Sequence, residues 1–317
     1  MIRTLTLAAL AALLFYAALP VAGAFAARTA WRAFRRRFLA SLEYPQLSIR
    51  DGLPCAERDI LIRRHLGSAE VLQGEDRLWV RGEDVTAVIR LQDARIYLLP
   101  AVQSSEEPYN LEAADETLKT TAWNRLSGLP EGTRVYTAGN LRIEEGLPVF
   151  FGTPSDPLLI LIHDGKDRDL ARRAVWAGRH RNEYWNSVTL ISLTAGFLST
   201  GAALYDLLRP PLLSLPAALA AALAFSPVLP FLPPGLAFLS IYRRLWARAR
   251  RLRARRDLLR AGLGASAGNA VIKDSERAAL DCVIQARKDE LLAGLSFAAA
   301  LALNFLLTVL AIRALIR

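Results

Sequence analysis

The residues best suited to chemistry are His163 and Asp164, with Asp167 and Asp169 close behind. A histidine followed by carboxylates at this spacing could hold a metal ion or perform general acid–base work. The same residues also make a polar turn after an apolar run, leading into an acidic first helical turn where carboxylates favour the helix dipole. The second reading is adopted, and no catalytic residue is assigned. Glu106-Glu107 and Glu144-Glu145 are adjacent pairs in turn-like stretches, and solvated loop charge explains them. The two cysteines, Cys55 and Cys282, lack CxxC spacing, and the three histidines, His65, His163 and His180, are scattered. No disulfide framework, metal site or cofactor is expected from them. Phosphate-cradling loops, zincin helices, nucleophile elbows and EF-hand loops are also missing from the sequence.

What must position any such residues is a chain of 317 residues, 53% hydrophobic, in which long uncharged blocks alternate with arginine-dense stretches. That distribution belongs to a bilayer protein. Nine arginines fall between Arg243 and Arg260 against one acid, Asp257, a local charge of +8 out of the total +10. A local basic run beside a hydrophobic span reads first as a topology signal and second as a contact for anionic lipid. Nucleic-acid binding is not expected, because no basic, aromatic-interleaved fold motif accompanies the run.

Four spans are expected. The first covers residues 1–27. Its Ala24-Phe25-Ala26 tail resembles a signal-peptidase site, but Arg28, Arg32, Arg35, Arg36 and Arg37 follow, which favours an uncleaved anchor. The second covers 187–208, where Ser192, Gly196 and Thr200 form a small-residue row for close helix packing or oligomer formation. The third, 212–234, lies within 33 uncharged residues and is interrupted by Pro227, Pro230, Pro233 and Pro234. It is read as a helix to about Phe231, with a new helix starting near Leu236. The fourth covers 291–312, with Asn304 as interhelical glue.

Between the spans lie a basic juxtamembrane segment (28–43), a β-rich domain (44–164) and a basic connecting helix (165–186) that could run on into the second span. After the third span come a cationic amphipathic helix (235–261) and a loop or helix (262–290). In the β-rich domain, strands are expected at 85–91, 95–99 and 158–162, a hairpin at 133–151 turning at Gly146, and a helix at 110–126. On the cationic helix, Phe238, Leu245, Leu252 and Leu259 recur every seven residues. That pattern suits either a helix lying along an anionic leaflet or a packed helix with a solvated charged face. Arg35, Arg36, Arg37, Arg243, Arg244, Arg248, Arg251 and Arg255 are the expected headgroup contacts.

Gly132-Thr133-Arg134-Val135-Tyr136-Thr137-Ala138-Gly139-Asn140-Leu141, the Glu-Glu-Gly turn after it and the helix into Trp185 resemble the membrane-flanking domain of the GIDE family, membrane-anchored ubiquitin ligases and their prokaryotic relatives. The resemblance covers about a fifth of the chain. It implies a domain that meets partners or lipid at the membrane face. It does not imply ligase activity, because the zinc-binding RING residues of those ligases are missing here.

The expected fold class is therefore an α-helical integral membrane protein, with about four transmembrane helices and one β-rich α+β soluble domain. Two crossings separate the β-rich domain from the arginine arm, so both are expected on the cytoplasmic side of the cell (inner) membrane. The expected function is a non-enzymatic membrane-anchored binding or scaffold protein, with anionic lipid and an unidentified protein as partners. A transporter or channel subunit is the alternative, since broken helices line midplane sites.

Overall fold

The computed structural model describes residues 2–48, 60–73, 76–100, 118–125, 129–179, 185–208, 215–261 and 269–315. In chain order these form helix α1 (Ile2–Ala12), a π-helical turn (Leu13–Ala18) and α2 (Leu19–Ser41), then strands β1 (Leu61–Gln73), β2 (Arg77–Arg81), β3 (Thr86–Arg90), β4 (Ala94–Leu98) and β5 (Lys119–Thr121). Next come β6 (Arg134–Glu144), β7 (Leu147–Phe151), β8 (Leu158–His163), and helices α3 (Leu170–Ala177), α4 (Ser187–Leu208), α5 (Leu215–Phe225), α6 (Gly235–Arg260) and α7 (Asn269–Leu315). They divide into two units, Trp31–His180 and Met1–Ala30 with Arg181–Arg317.

The first unit is built on a sheet that closes on itself. β1 pairs with β2, β2 with β3, β3 with β7, β7 with β6, and β6 back with β1. Every pairing in this ring is antiparallel except β3–β7. The result is a five-stranded Greek-key barrel of the OB type. One edge of β6 is shared: Arg134–Ala138 pair with β8, and Asn140–Glu144 pair with β7. The first of these pairings carries β8, β4 and β5 outside the ring. Alternation explains the core, since Leu78 and Val80, Ala87 and Ile89, and Leu141 and Phe150 point inward and are buried. β8 is buried at every residue, which its unbroken apolar run requires. In the same unit Phe34 and Phe38 of α2 lie against Tyr97 and Tyr136. The β6–β7 turn places Glu145 and Gly146 at φ 52° and 76°.

Two expectations are corrected here. The stretch 110–126 is not one helix: Lys119–Thr121 form a strand paired with Leu98–Ile96, and only Trp123–Arg125 make a 3-10 turn. Thr120 and Thr121 are β-branched, and the open edge of β4 gives them a ladder that a solitary helix lacks. The earlier part of that stretch, including Asn110, lies outside the described residues. Nor is 165–186 one helix running into the second span. A 3-10 turn (Asp167–Asp169) leads into α3, which ends at Gly178, and α4 starts anew. Asn186 caps it: its Oδ1 accepts the Val188 N–H at 3.0 Å, while its own N–H donates to Thr189 Oγ1 at 3.2 Å.

Among the described residues three helices are long and apolar enough to cross a membrane: Ile2–Ser41, Ser187–Leu208 and Ser275–Ala314. The proline-rich interval expected as a third span differs. Its helix α5 has 11 residues, about 16 Å, and stops at Phe225, well before Phe231. Pro227 disfavours helical geometry at Ser226 before it, so the helix ends there. A 3-10 turn (Leu229–Phe231) and the Pro233-Pro234 pair follow before α6 begins. α7 continues without a break from Asn269 into the apolar stretch, 47 residues or about 70 Å.

Candidate functional site: the broken helix and the arginine hairpin

The polar groups of the helical unit are mostly engaged with one another. Pro20 has no N–H, so in the π register Phe15 O loses its donor. Ser192 Oγ donates to that carbonyl instead. One turn along, Gly196 lies against the Phe15 Cβ and the Tyr16 ring so closely that a Cβ would overlap both. One turn further, Thr200 Oγ1 meets the Tyr16 hydroxyl at 3.1 Å, and Tyr16 also donates to Ala224 O at 3.3 Å. The row Ser192, Gly196, Thr200 is buried throughout. Its partner is the π-helical turn, with α5 beside it.

Asn304 lies at the break between α5 and α6. Its Nδ2 donates to Leu229 O at 2.6 Å and Leu232 O at 2.7 Å. Pro233 cannot supply the N–H that a continuing helix would direct at Leu229 O; that carbonyl accepts the Leu232 N–H at 3.1 Å instead, and the asparagine is its second donor. Gly235, the first residue of α6, leaves room for this amide. The residue is 3% exposed.

From there α6 and α7 run antiparallel. Ala279, Ala286, Ala293 and Ala300, seven residues apart, are buried on α7, and Gly235, Leu239, Ala249 and Ala254 on α6. Small residues at heptad spacing let the two backbones approach closely. Tyr242 stacks on Trp246 and tilts against Phe297. Beyond these aromatics, Arg248 faces Asp289 at 3.3 Å, and Arg253 pairs with Glu290. α6 thus packs along α7 with part of its charged face turned outward. Arg243, Arg244, Arg248, Arg251 and Arg255 are all exposed.

The basic residues after the first apolar stretch are disposed differently. Arg36 is exposed, but Arg35 donates to Gly178 O, and Arg37 binds Asp156 and the Pro157 carbonyl. Two of the three guanidinium groups are thus engaged inside the β-domain unit.

In that unit His163 is buried at the end of β8. Its Nε2 is 3.8 Å from Asp167, and neither ring nitrogen has a hydrogen-bond partner. Arg134 holds Asp167 at 2.8 Å, and Arg173 holds Asp164 at 2.8 Å. Burial pushes the His163 pKa below the ordinary range; Asp167 opposes this, and Arg173 and Arg134 add to it. The carboxylates face arginines, and Asp169 pairs with Arg172 and Arg168. Among the described residues no three His, Cys, Asp or Glu side chains are grouped to hold a metal ion. His65 is likewise buried, with Nε2 3.2 Å from Val80 O, and burial lowers its pKa. It lines a cavity of about 330 Å³ with Gln46, Ser48, Glu83 and Asp84. Tyr136, donor or acceptor to Ser41 Oγ at 2.8 Å, is pushed up to about 12 by burial. Cys282 is a buried free thiol, and Cys55, His180 and Glu106-Glu107 lie outside the described residues.

Sequence reasoning missed Tyr16, Asn186 and Gly235. Asn186 had a signal in its N-x-x-T spacing ahead of an apolar run. Gly235 followed directly on two prolines, a place where helices start. Tyr16 gave none, since its partner is 184 residues away. Compared with known proteins, the chain matches no family model, no curated protein and no solved structure.

Proposed function

We propose that the chain is a membrane-anchored binding or scaffold protein. In this reading it crosses the bilayer four times and presents its β domain and arginine hairpin at the cytoplasmic face of the cell membrane. The third crossing is composite. α5 contributes about 16 Å and the first two turns of α6, Gly235 to Tyr242, about 12 Å, together close to a ~30 Å hydrocarbon core. Asn304 ties the two pieces to the fourth crossing. The nine arginines of α6 then fix the side, because guanidinium groups beside a span are retained in the cytoplasm. Arg243, Arg244 and Arg248, next to the Tyr242–Trp246–Phe297 cluster, are in reach of anionic headgroups. The GIDE-like stretch Gly132–Leu141 adds a domain meeting partners at the membrane face.

The observation that carries this reading is the exposure of Arg243, Arg244, Arg248, Arg251 and Arg255, set against the use of Asn304, Ser192, Thr200 and Tyr16 on other protein groups. The cationic side chains are offered outward while the bundle's own polar groups are spent on packing. Spin-labelled lipid in vesicles containing the full-length protein tests it. Anionic lipid should be enriched over zwitterionic lipid around the protein, and Arg243→Gln with Arg244→Gln and Arg248→Gln should abolish the preference. Equal preference in parent and variant rejects the lipid role.

The broken helix favours a second reading, a transporter or channel subunit, because discontinuous helices line midplane sites. Solute flux in reconstituted vesicles that is lost on Pro230→Ala or Asn304→Ala would establish it. The use of the Asn304 amide on Leu229 and Leu232 makes it the weaker of the two.

A further inference from the structure

We propose that the cavity beside His65 binds a small organic cation, a guanidinium or primary ammonium group, through the carboxylates of Glu83 and Asp84. The site lies wholly within the β domain, so it stands whether or not the chain crosses the bilayer four times.

Three pieces of backbone wall the cavity, and each is pinned. Residues 45–47 run beside β1: the Leu47 N–H donates to Arg64 O at 2.8 Å, the Arg64 N–H donates to Pro45 O at 3.0 Å, and the Leu47 side chain is buried in the barrel core. That places Gln46 on one wall, while β1 itself supplies His65. The β2–β3 turn supplies Glu83 and Asp84, and it is closed by the Gly82 N–H donating to Val85 O at 2.9 Å. Only a glycine lets this turn sit against the imidazole, because a Cβ at position 82 would overlap the ring carbon Cε1. Phe150 stacks on the same ring at 6.2 Å. The ring is therefore held in one place. The enclosed volume of about 330 Å³ is at the lower end for small-molecule sites.

The lining says what fits. Among the described residues no lysine or arginine lines the cavity, and every polar side chain that does can accept a hydrogen bond. His65 Nε2 lies 3.2 Å from Val80 O, which can only accept, so Nε2 carries the proton. Burial disfavours the charged ring, which leaves Nδ1 with a lone pair. Glu83 and Asp84 are exposed and form no ion pair among the described residues, and Arg81 next to them in sequence is bound to Glu70. Solvated loop acids are ordinary. What sets this pair apart is the walled cavity and the buried, neutral acceptor beside them. Anions would be repelled, and a neutral molecule would leave both charges uncompensated. A metal ion would lack ligands, since no three His, Cys, Asp or Glu side chains are grouped among the described residues. A guanidinium or primary ammonium brings positive charge and several N–H donors together. Such a group occurs in free amines and at the tip of an arginine or lysine side chain of another protein.

Isothermal titration calorimetry of the full-length protein in non-ionic detergent tests the site, with butylguanidinium and butylammonium as probes. At least one should saturate a single site with Kd of about 1 mM or tighter. Butylurea has the guanidinium shape without the charge, and tetramethylammonium has the charge without N–H donors. Each should bind about tenfold more weakly or worse. Glu83→Gln with Asp84→Asn should weaken the better probe about tenfold or more, with the near-UV circular dichroism of the parent. Glu131→Gln, an exposed acid of the same domain that does not line the cavity, should leave binding unchanged. N-acetylarginine methylamide separates the two sources. Tighter binding than butylguanidinium indicates a partner's side chain, weaker binding indicates a free amine, and either result upholds the cation site. Four results overturn it: neither probe saturating by about 10 mM, butylurea binding as well as the cations, undiminished binding in the Glu83/Asp84 variant, or displacement of the probe by about 1 mM magnesium or calcium, which would mark a metal site.

Discussion

Asn304 and Gly235 share one space: the asparagine amide fills the volume that a side chain at 235 would take, and from there it donates to Leu229 and Leu232. The two residues, far apart in sequence, hold the broken segment against α7. Asn304→Leu removes both hydrogen bonds and should cost about 1–2 kcal/mol. Gly235→Ala forces the amide aside and should cost a similar amount. Because both act at one point, the double variant Gly235→Ala/Asn304→Leu should lose less than the sum of the singles. Thermal unfolding in detergent reads all of these, and strict additivity would show that the pair is not coupled.

A second close approach makes a separate prediction. Gly196 abuts the Tyr16 ring, so Gly196→Leu should destabilise the helical unit by about 1–3 kcal/mol. Tyr16→Ala in the same chain opens the space and should recover part of that loss. Ser199→Leu, on an exposed position of the same helix, should be close to neutral. If Gly196→Leu is as mild as Ser199→Leu, α4 does not meet the first helix through this row.

The buried histidines predict the pH response of the β domain. Burial lowers the folded-state pKa of His163 and of His65, while both stay near 6.5 in the unfolded chain. As pH falls through about 6.5 the unfolded state takes up protons first, so stability is lost from there downward and is fully present above it. Asp167 and Asp164 soften the effect at His163, and Arg173 and Arg134 sharpen it. The urea midpoint, followed by near-UV circular dichroism, should drop between about pH 7.5 and pH 5.5, and drop less in His163→Gln. An identical drop in the variant would mean that His163 does not carry the response.

Much of the β domain can be read from local pattern. β3, β4, β6, β7 and β8 alternate or run apolar with β-branched residues, and Gly146 marks the turn between β6 and β7. β1 could not be read this way: Arg63, Arg64 and His65 stand in a row, and what makes the stretch a strand is pairing with β6 and β2 on its two edges. β5 was mistaken for helix for the same reason, since its ladder comes from β4, far from any local signal. In the helical unit, spacing located the row Ser192, Gly196, Thr200 and the polar Asn304. It could not tell which helix each would face, and it placed the proline break six residues late. The arginine run was legible as charge, but whether its helix bends at the bilayer depends on pairing with α7, which no local pattern encodes.

If the proline-broken segment crosses the membrane, the arginine hairpin lies on the same side as the β domain. Single cysteines at Asp84, Asp206 and Arg255, in a chain with Cys55→Ser and Cys282→Ala, test it with a membrane-impermeant maleimide. In intact cells Asp206→Cys should react while Asp84→Cys and Arg255→Cys stay protected, and inside-out vesicles should reverse the pattern. Labelling of Arg255→Cys together with Asp206→Cys in intact cells would contradict the account, because α5 would then dip into the bilayer and return instead of crossing it.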